Sequence, residues 1–384
     1  LQDHLITLLG WRRDEDYFDR RTISFVTNPA DLNDPGKVHY GFNDFSFPRT
    51  PPPNVAKEIK SYSAVLRWPQ KLIKLPAGTD FSVFYNRSEN FTPLGGRVNA
   101  FNEPHPPPQG KTKEYGFNFS ALNDKLILRV NRFETAVQGQ SFTPFVYNLA
   151  TVNVLMHTMA QAWAVEGNTN PHLVAMRNAD IELLYSPLPA NYRELYQWRV
   201  TGTAPNLVGN YVALSGSGDT TDYTAKGTEI EFVYNPTRSW RILMNVAQQE
   251  TVQSNTLPFL KRFIALMLPV WNQLRERPRN NYPLGWQPGD PLPATVQTYG
   301  DYLDLDVLVP FATAIATEGS ASAEQRKWRA NLVTSYSFGR GSIFGEKLNG
   351  WSIGGAVRWQ DKLGIGYPTT RNPNSSVTLD FAHP

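Results

Sequence analysis

Apolar and polar residues alternate with a period of two over most of the patterned segments of this chain, and that period belongs to strands. Over residues 351–360, Trp351, Ile353, Gly355, Val357 and Trp359 share one face, and Ser352, Gly354, Ala356, Arg358 and Gln360 the other. Over 328–338, Trp328, Ala330, Leu332, Thr334, Tyr336 and Phe338 oppose Arg329, Asn331, Val333, Ser335 and Ser337. Residues 240–247 set Trp240, Ile242, Met244 and Val246 against Arg241, Leu243, Asn245 and Ala247. In 228–235, Thr228, Ile230, Phe232 and Tyr234 oppose Glu229, Glu231 and Val233. Earlier segments follow suit at 3–13, 62–68, 81–85, 115–120 and 126–131. Nine or ten strands are expected.

The connections are sorted by length. Short ones are expected at 69–79, 123–125, 235–239 and 339–349, whereas others, such as 137–219, run for tens of residues. A soluble sheet has no reason to place its short and long connections at opposite ends. An up-and-down transmembrane β-barrel does. The pattern therefore predicts an all-β membrane fold, an antiparallel barrel wall with helices in its long loops. Helical periodicity appears at 143–163 and 257–277, the second interrupted by Pro269. Shorter helical stretches are expected at 178–185 and 193–199.

In a barrel, the polar faces would line the lumen. That reading selects Arg129, Asn131, Glu229, Glu231, Arg241, Asn245, Arg329, Asn331 and Arg358 as lumen-facing candidates. An Arg or Lys facing lipid at the midplane would cost about 2–4 kcal/mol. The apolar faces begin or end on aromatic residues, as at two membrane interfaces. Trp11, Trp68, Tyr85, Trp240, Trp328, Trp351 and Trp359 are the candidates for that position.

Composition removes other readings. The chain has 384 residues, is 41% hydrophobic and 12% aromatic, and carries a formal charge of +3. Its mean hydropathy is -0.40, and its longest helix-like apolar stretch, 257–271, contains two prolines and two cations. Crossing a bilayer by helix is excluded there. No basic run follows a helix face, so nucleic acid is not an expected partner. Without cysteine there are no disulfides, thiolate metal sites or cysteine nucleophiles. The six histidines are scattered without metal-ligand spacing. Acidic groups at 14–16 and at Asp304 and Asp306, and the glycine-serine run at 215–219, match no catalytic pattern. Neither an enzyme nor a cofactor is expected.

Residues 226–245 read KGTEIEFVYNPTRSWRILMN. This resembles a strand–turn–strand signature of TonB-dependent outer-membrane receptors, in which a Gly-x-Glu-x-Glu strand turns through Asn-Pro-Thr into a Trp-Arg strand. Residues 61–93, 114–135 and 329–368 resemble the same family. The resemblance implies an energy-coupled transporter of a scarce nutrient such as an iron-siderophore, cobalamin or carbohydrate. It also implies a bacterial outer-membrane location, contact with outer-membrane lipid, a plug domain and coupling to TonB-ExbB-ExbD. Asn235, Pro236 and Thr237 would then form a periplasmic turn.

The chain departs from the family pattern in showing no plug, no TonB box and no closing C-terminal aromatic strand. About 22 strands are usual in such transporters. Residues 1–384 are therefore expected to be an internal segment of the barrel wall. Two alternatives remain open: a passive porin-like channel, and a soluble carbohydrate-binding or hydrolytic β-protein. The soluble reading requires Trp351, Ile353, Val357 and Trp359 to be buried against a second sheet.

Overall fold

A computed structural model describes residues 4–16, 55–70, 73–93, 97–99, 103–142, 182–184, 186–190, 199–201, 208–210, 218–278, 289–340, 347–371 and 377–379, with a few single positions between them. The expected helix at 143–163 lies outside these residues, as does that at 193–199 except for Arg199, which is in a strand; that at 178–185 is helical where described.

Alternation becomes pairing in one antiparallel sheet. Its strands are β1 (Leu5–Asp16), β2 (Val55–Arg67), β3 (Asp80–Phe91), β4 (Gln109–Ala121), β5 (Leu126–Ser141), β8 (Thr220–Thr237), β9 (Trp240–Ser254), β10 (Trp328–Ser337) and β11 (Ser352–Gln360). They lie side by side in chain order. Two short ribbons stand apart, β6 (Arg199–Thr201) with β7 (Val208–Asn210), and β12 (Thr369–Arg371) with β13 (Val377–Leu379). β1 and β11 each pair on one side only among the described residues.

A meander in chain order alternates its ends. The connections 68–79, 122–125, 238–239 and 338–351 share one end, and 17–54, 92–108, 142–219 and 255–327 share the other. The sorting read from the sequence is the sorting observed. The reversal between β4 and β5 uses Leu122, Asn123 and Asp124, all with positive φ. Such a run favours Asn and Asp, whose short side chains tolerate the left-handed region.

The turn between β8 and β9 differs from expectation. Pairing continues to Thr237 opposite Trp240, leaving Arg238 and Ser239 as the reversal. Asn235 and Pro236 instead occupy the register shift between Tyr234 and Thr237. Proline has no N–H for a ladder, so an irregularity accommodates it better than a regular pair. The Asn235 N–H donates across to the Lys125 carbonyl at 2.7 Å, and the Thr237 hydroxyl accepts from Ser239 N at 3.3 Å.

β8 and β9 also exceed the lengths that apolar alternation suggests, by several residues toward the long-loop end. There, outward positions such as Lys226 and Glu250 are polar while backbone pairing persists, Lys226 opposite Glu250. A pattern of hydrophobicity cannot mark a strand end beyond the point where both faces turn polar.

The densest buried cluster is not on the sheet. It centres on helix α1 (Pro258–Gln273) in the last long connection, where Phe263, Met267 and Trp271 are fully buried. Leu184 and Leu188 join it from the connection between β5 and β8, and Tyr299, Leu303, Val307 and Ala314 from the segment that follows α1. Residues 299–316 of that segment are helical: α2 (Tyr299–Tyr302), a π-helical stretch (Leu303–Leu308) and α3 (Val309–Ala316). α1 runs through Pro269. The connection 92–108 packs on the same helix: the Phe101 and Phe263 rings lie 5.6 Å apart, and the His105 and Phe259 rings 4.7 Å apart. The described parts of the connections 92–108, 142–219 and 255–327 thus build one cap with a core of its own. No helix among the described residues is long and apolar enough to cross a membrane.

The soluble reading requires Trp351, Ile353, Val357 and Trp359 to be buried; they are 69%, 65%, 65% and 53% exposed, and no second sheet covers them among the described residues. Soluble sheets bury their apolar face against another layer.

Candidate functional site

The register fixes which side chains share a face. Arg129 lies opposite Glu231, Asn131 opposite Glu229, and Asn118 opposite Arg129. Glu231 faces Asn245 across the next ladder, Asn245 faces Asn331, and Asn331 faces Arg358. Because side chains alternate strictly, these residues form a diagonal polar stripe over β4, β5 and β8–β11.

The stripe lines an open trough of about 480 Å³. Eight of the nine polar candidates border it: Arg129, Asn131, Glu229, Glu231, Asn245, Arg329, Asn331 and Arg358. Arg241 does not. It shares their face but lies four residues nearer the short turn, opposite Ser335. Asn118 and Gln360 also line the trough and were not selected from the sequence, although both sit on the correct alternating positions. Phe84 borders it as well.

Polar contacts run across strands. Arg129 Nη1 donates to Glu231 Oε2 at 3.3 Å. Both side chains are about half exposed, and such a pair contributes below about 1 kcal/mol. Asn331 Nδ2 donates to Asn245 Oδ1 at 2.7 Å, and Arg329 reaches Gln249 Oε1 at 3.4 Å. The buried Asn131 Oδ1 has no hydrogen-bond partner among the described residues. A trough with charge-bearing walls suits a polar occupant, because an apolar one would strand those charges.

Two glycines shape the same face. Gly116 is paired with Phe84 and Gly227 with Phe133. A Cβ on Gly227 would meet the Phe133 ring and the Gln248 carbonyl, and one on Gly116 would meet the Val130 carbonyl and the Phe84 ring. Each phenylalanine lies over the glycine of the neighbouring strand, which is how a sheet covers a glycine gap. Gly227 is the glycine of the 226–245 motif.

The opposite face is apolar over the half of each strand nearer the short turns: Leu66, Phe81, Val83, Phe117, Phe119, Leu128, Phe232, Ile242, Met244, Leu332 and Val357. The aromatic candidates fall on this face and separate by end. Trp68, Trp240 and Trp351 stand at the short-turn end, and Trp11, Tyr85, Trp328 and Trp359 toward the other. Trp240 Nε1 donates to Thr334 Oγ1 at 3.0 Å, and Trp68 Nε1 to the Ile73 carbonyl at 2.8 Å, so neither ring leaves its N–H unmet.

At the junction of sheet and cap, Asp219 Oδ2 accepts from Leu260 N at 2.7 Å and Oδ1 from Thr220 N at 2.7 Å. It supplies the cap that α1 lacks locally, since Leu257 at its N-cap has no side-chain acceptor. Burial pushes the Asp219 carboxyl up to about 6, against the pull of those N–H donors. His105 Nε2 lies 3.0 Å from the Gly218 carbonyl, and burial lowers its pKa. Arg262 stands 4.2 Å over the Phe101 ring and pairs with Glu103 at 2.6 Å.

No protein-family model matches the chain, and no curated protein matches it in sequence. Among solved structures it is similar to the pyoverdine outer membrane receptor FpvA from Pseudomonas aeruginosa PAO1 bound to pyoverdine, at 13% identity and TM-score 0.38, over 87% of this chain and 29% of that one. It is similar to the ferripyoverdine receptor of the outer membrane of Pseudomonas aeruginosa, at 13% identity and TM-score 0.38, over 86% and 26%. It is also similar to the alcaligin outer membrane receptor FauA from Bordetella pertussis, at 12% identity and TM-score 0.33, over 80% and 31%. The chain spans about a quarter to a third of the length of these receptors. Likeness of this size carries no functional argument.

Proposed function

We propose that this chain forms part of the wall of an outer-membrane receptor barrel of the TonB-dependent type, which imports a scarce polar nutrient such as an iron-siderophore. The observation that carries the reading is the two-sided sheet. One face exposes an apolar band bounded by aromatic residues, and the other holds a continuous polar trough. Water-soluble sheets hide the first and have no use for the second, while a barrel wall in lipid needs both.

In this reading the apolar face meets outer-membrane lipid. The trough faces the lumen, where Arg129, Asn131, Glu229, Glu231, Asn245, Arg329, Asn331 and Arg358 contact either the nutrient or a plug domain. The cap around α1 stands on the extracellular side, and the 238–239 reversal on the periplasmic side. Among the described residues β1 and β11 each pair on one side only, and lipid could not satisfy such edges, so in this reading further strands stand beside them. The resemblance of residues 226–245 supports the family and, through it, a scarce nutrient such as an iron-siderophore, cobalamin or carbohydrate.

Energy coupling separates this reading from a passive channel. Uptake of a labelled ferric chelate by cells carrying the protein should stop when the proton-motive force is collapsed or TonB is deleted. Uptake that persists under both treatments would establish the passive channel instead.

A further inference from the structure

The connection 92–108 holds two buried polar groups that the wall does not use. Its described residues fold back on themselves: Val98 bridges Pro104, and His105 N donates to the Arg97 carbonyl at 2.9 Å, which sets Arg97 opposite His105. The fully buried Asn99 closes the bend, its Oδ1 accepting from Phe101 N at 2.8 Å and Glu103 N at 3.0 Å. Gly218, just before β8, holds this strip with both sides of its backbone. Its N–H donates to the Val98 carbonyl at 3.0 Å, and its carbonyl accepts from His105 Nε2 at 3.0 Å.

A carbonyl only accepts, so the His105 proton sits on Nε2 and Nδ1 is bare. His105 is 7% exposed, and its Nδ1 has no hydrogen-bond partner among the described residues. The charge opposite it is positive. Arg97 spends its guanidinium on the Ser141 hydroxyl and on the Pro106 and Gly139 carbonyls, with no carboxylate partner among the described residues. Glu103, the carboxylate of the strip, is taken by Asn99 Nδ2 at 2.6 Å and by Arg262. Burial first, and Arg97 after it, hold the His105 pKa below its ordinary value of 6.5, against the pull of the Gly218 carbonyl.

We propose that these residues form an acid-released clasp of the cap. A proton arriving at Nδ1 creates a buried N–H without an acceptor, on an imidazolium opposite an arginine without a counterion. The ring then leaves its site, the bond to Gly218 breaks and the strip parts from α1. Because the clasped state holds the proton less tightly than the released one, clasping is full above pH 6.5 and is lost as pH falls below it. Other charges surround the ring. Glu103 has its pKa lowered by Asn99 and Arg262 and stays ionised through this window, and Lys261 and Arg262 bring positive charge from α1. Asp219, next to Gly218, takes its proton near pH 6 and acts in the opposite sense. Under the placement proposed above the clasp faces the external medium and answers acid outside the cell; only this meaning rests on that reading.

The test is hydrogen–deuterium exchange of the full chain in detergent between pH 5 and 7.5, with each rate divided by the intrinsic rate at the same pH. Protection of peptides covering 97–108 and Gly218 should fall by up to about tenfold per pH unit below 6.5, while the amides of β9 keep theirs. His105→Gln keeps a neutral donor for the Gly218 carbonyl and should give a flat profile. Asp219→Asn, freed of the opposing group, should release at least as steeply as the wild type. Wild-type protection that stays flat or rises on acidification would overturn the proposal. So would release in His105→Gln that parallels the wild type, or its loss in Asp219→Asn. The wild-type and Asp219→Asn profiles decide the matter even where His105→Gln does not fold. Exchange reads the clasp whatever the chain imports, so its failure is distinct from a failure of the uptake experiment.

Discussion

Asp219 shows how a single side chain ties the cap to the sheet. It precedes the first residue of β8, yet its carboxylate caps α1, a helix dozens of residues later in the chain. Burial raises its folded pKa to about 6, above the ordinary value of 3.8. Because the folded state holds the proton more tightly, the contribution of this group to stability is full below the unfolded value. It is lost as pH rises from about 4 to about 6. Two pKa units correspond to about 3 kcal/mol, an upper bound once the residual exposure is considered. Thermal unfolding of the cap, followed between pH 4 and 7, should therefore fall more steeply for the wild type than for Asp219→Asn, which cannot titrate. Parallel pH profiles would show that Asp219 is solvated and the cap held by other contacts. Nothing in the sequence singled out Asp219, since a tertiary cap has no local signature: its acceptor and its helix are separated by all of β8 and β9. The polar trough was more legible. Eight residues picked by alternation alone converge there, because a strand has only two faces and polar mid-strand positions had to share one.

At the scale of elements, strand existence and pairing order were readable, and strand ends were not. The turn at 235–239 illustrates the reason. Asn-Pro-Thr reads as a turn, but the backbone continues pairing to Thr237, and the proline takes up a register irregularity. A short-range signal cannot report where cross-strand pairing stops. Gly227 makes a related point. Its place in the motif had no evident cause until the register brought Phe133 over it. Gly227→Val would have to displace that ring and press on the Gln248 carbonyl, at a cost of about 1–3 kcal/mol. The variant should insert less well into the outer membrane and become protease-sensitive in β8, and Phe133→Ala in the same chain should restore part of the loss. A Gly227→Val protein as resistant as the wild type would mean that the Phe133–Gly227 pair is loose. The small ribbons β6–β7 and β12–β13 had weaker signals, because strands of three residues carry too few alternations to register a period.

At the scale of the whole molecule, the division of labour is unusual for a chain of this size. The buried cluster belongs to the loops, while the sheet exposes its apolar side. In water that arrangement would leave a large sticky surface, which soluble proteins avoid. In lipid it becomes the natural state, and the polar face becomes the interior. This inversion is what the alternation implied from the start, although alternation by itself does not say which face is wet. Trp351, Ile353, Val357 and Trp359 are exposed, with no covering sheet among the described residues. The composition also makes the claim convenient to examine, because the chain has no native cysteine to remove.

Single cysteines placed through β9 and β10, in the protein inserted in the outer membrane as proposed, would separate the two faces of the sheet. Spin labels at 242, 244, 246, 330 and 332 should be relaxed by the lipid-soluble quencher oxygen, and those at 243, 245, 247, 329 and 331 by a water-soluble nickel chelate. A two-sided wall gives strict alternation with a period of two and opposite phase for the two quenchers. Labels on both faces relaxed equally by the aqueous chelate would contradict it.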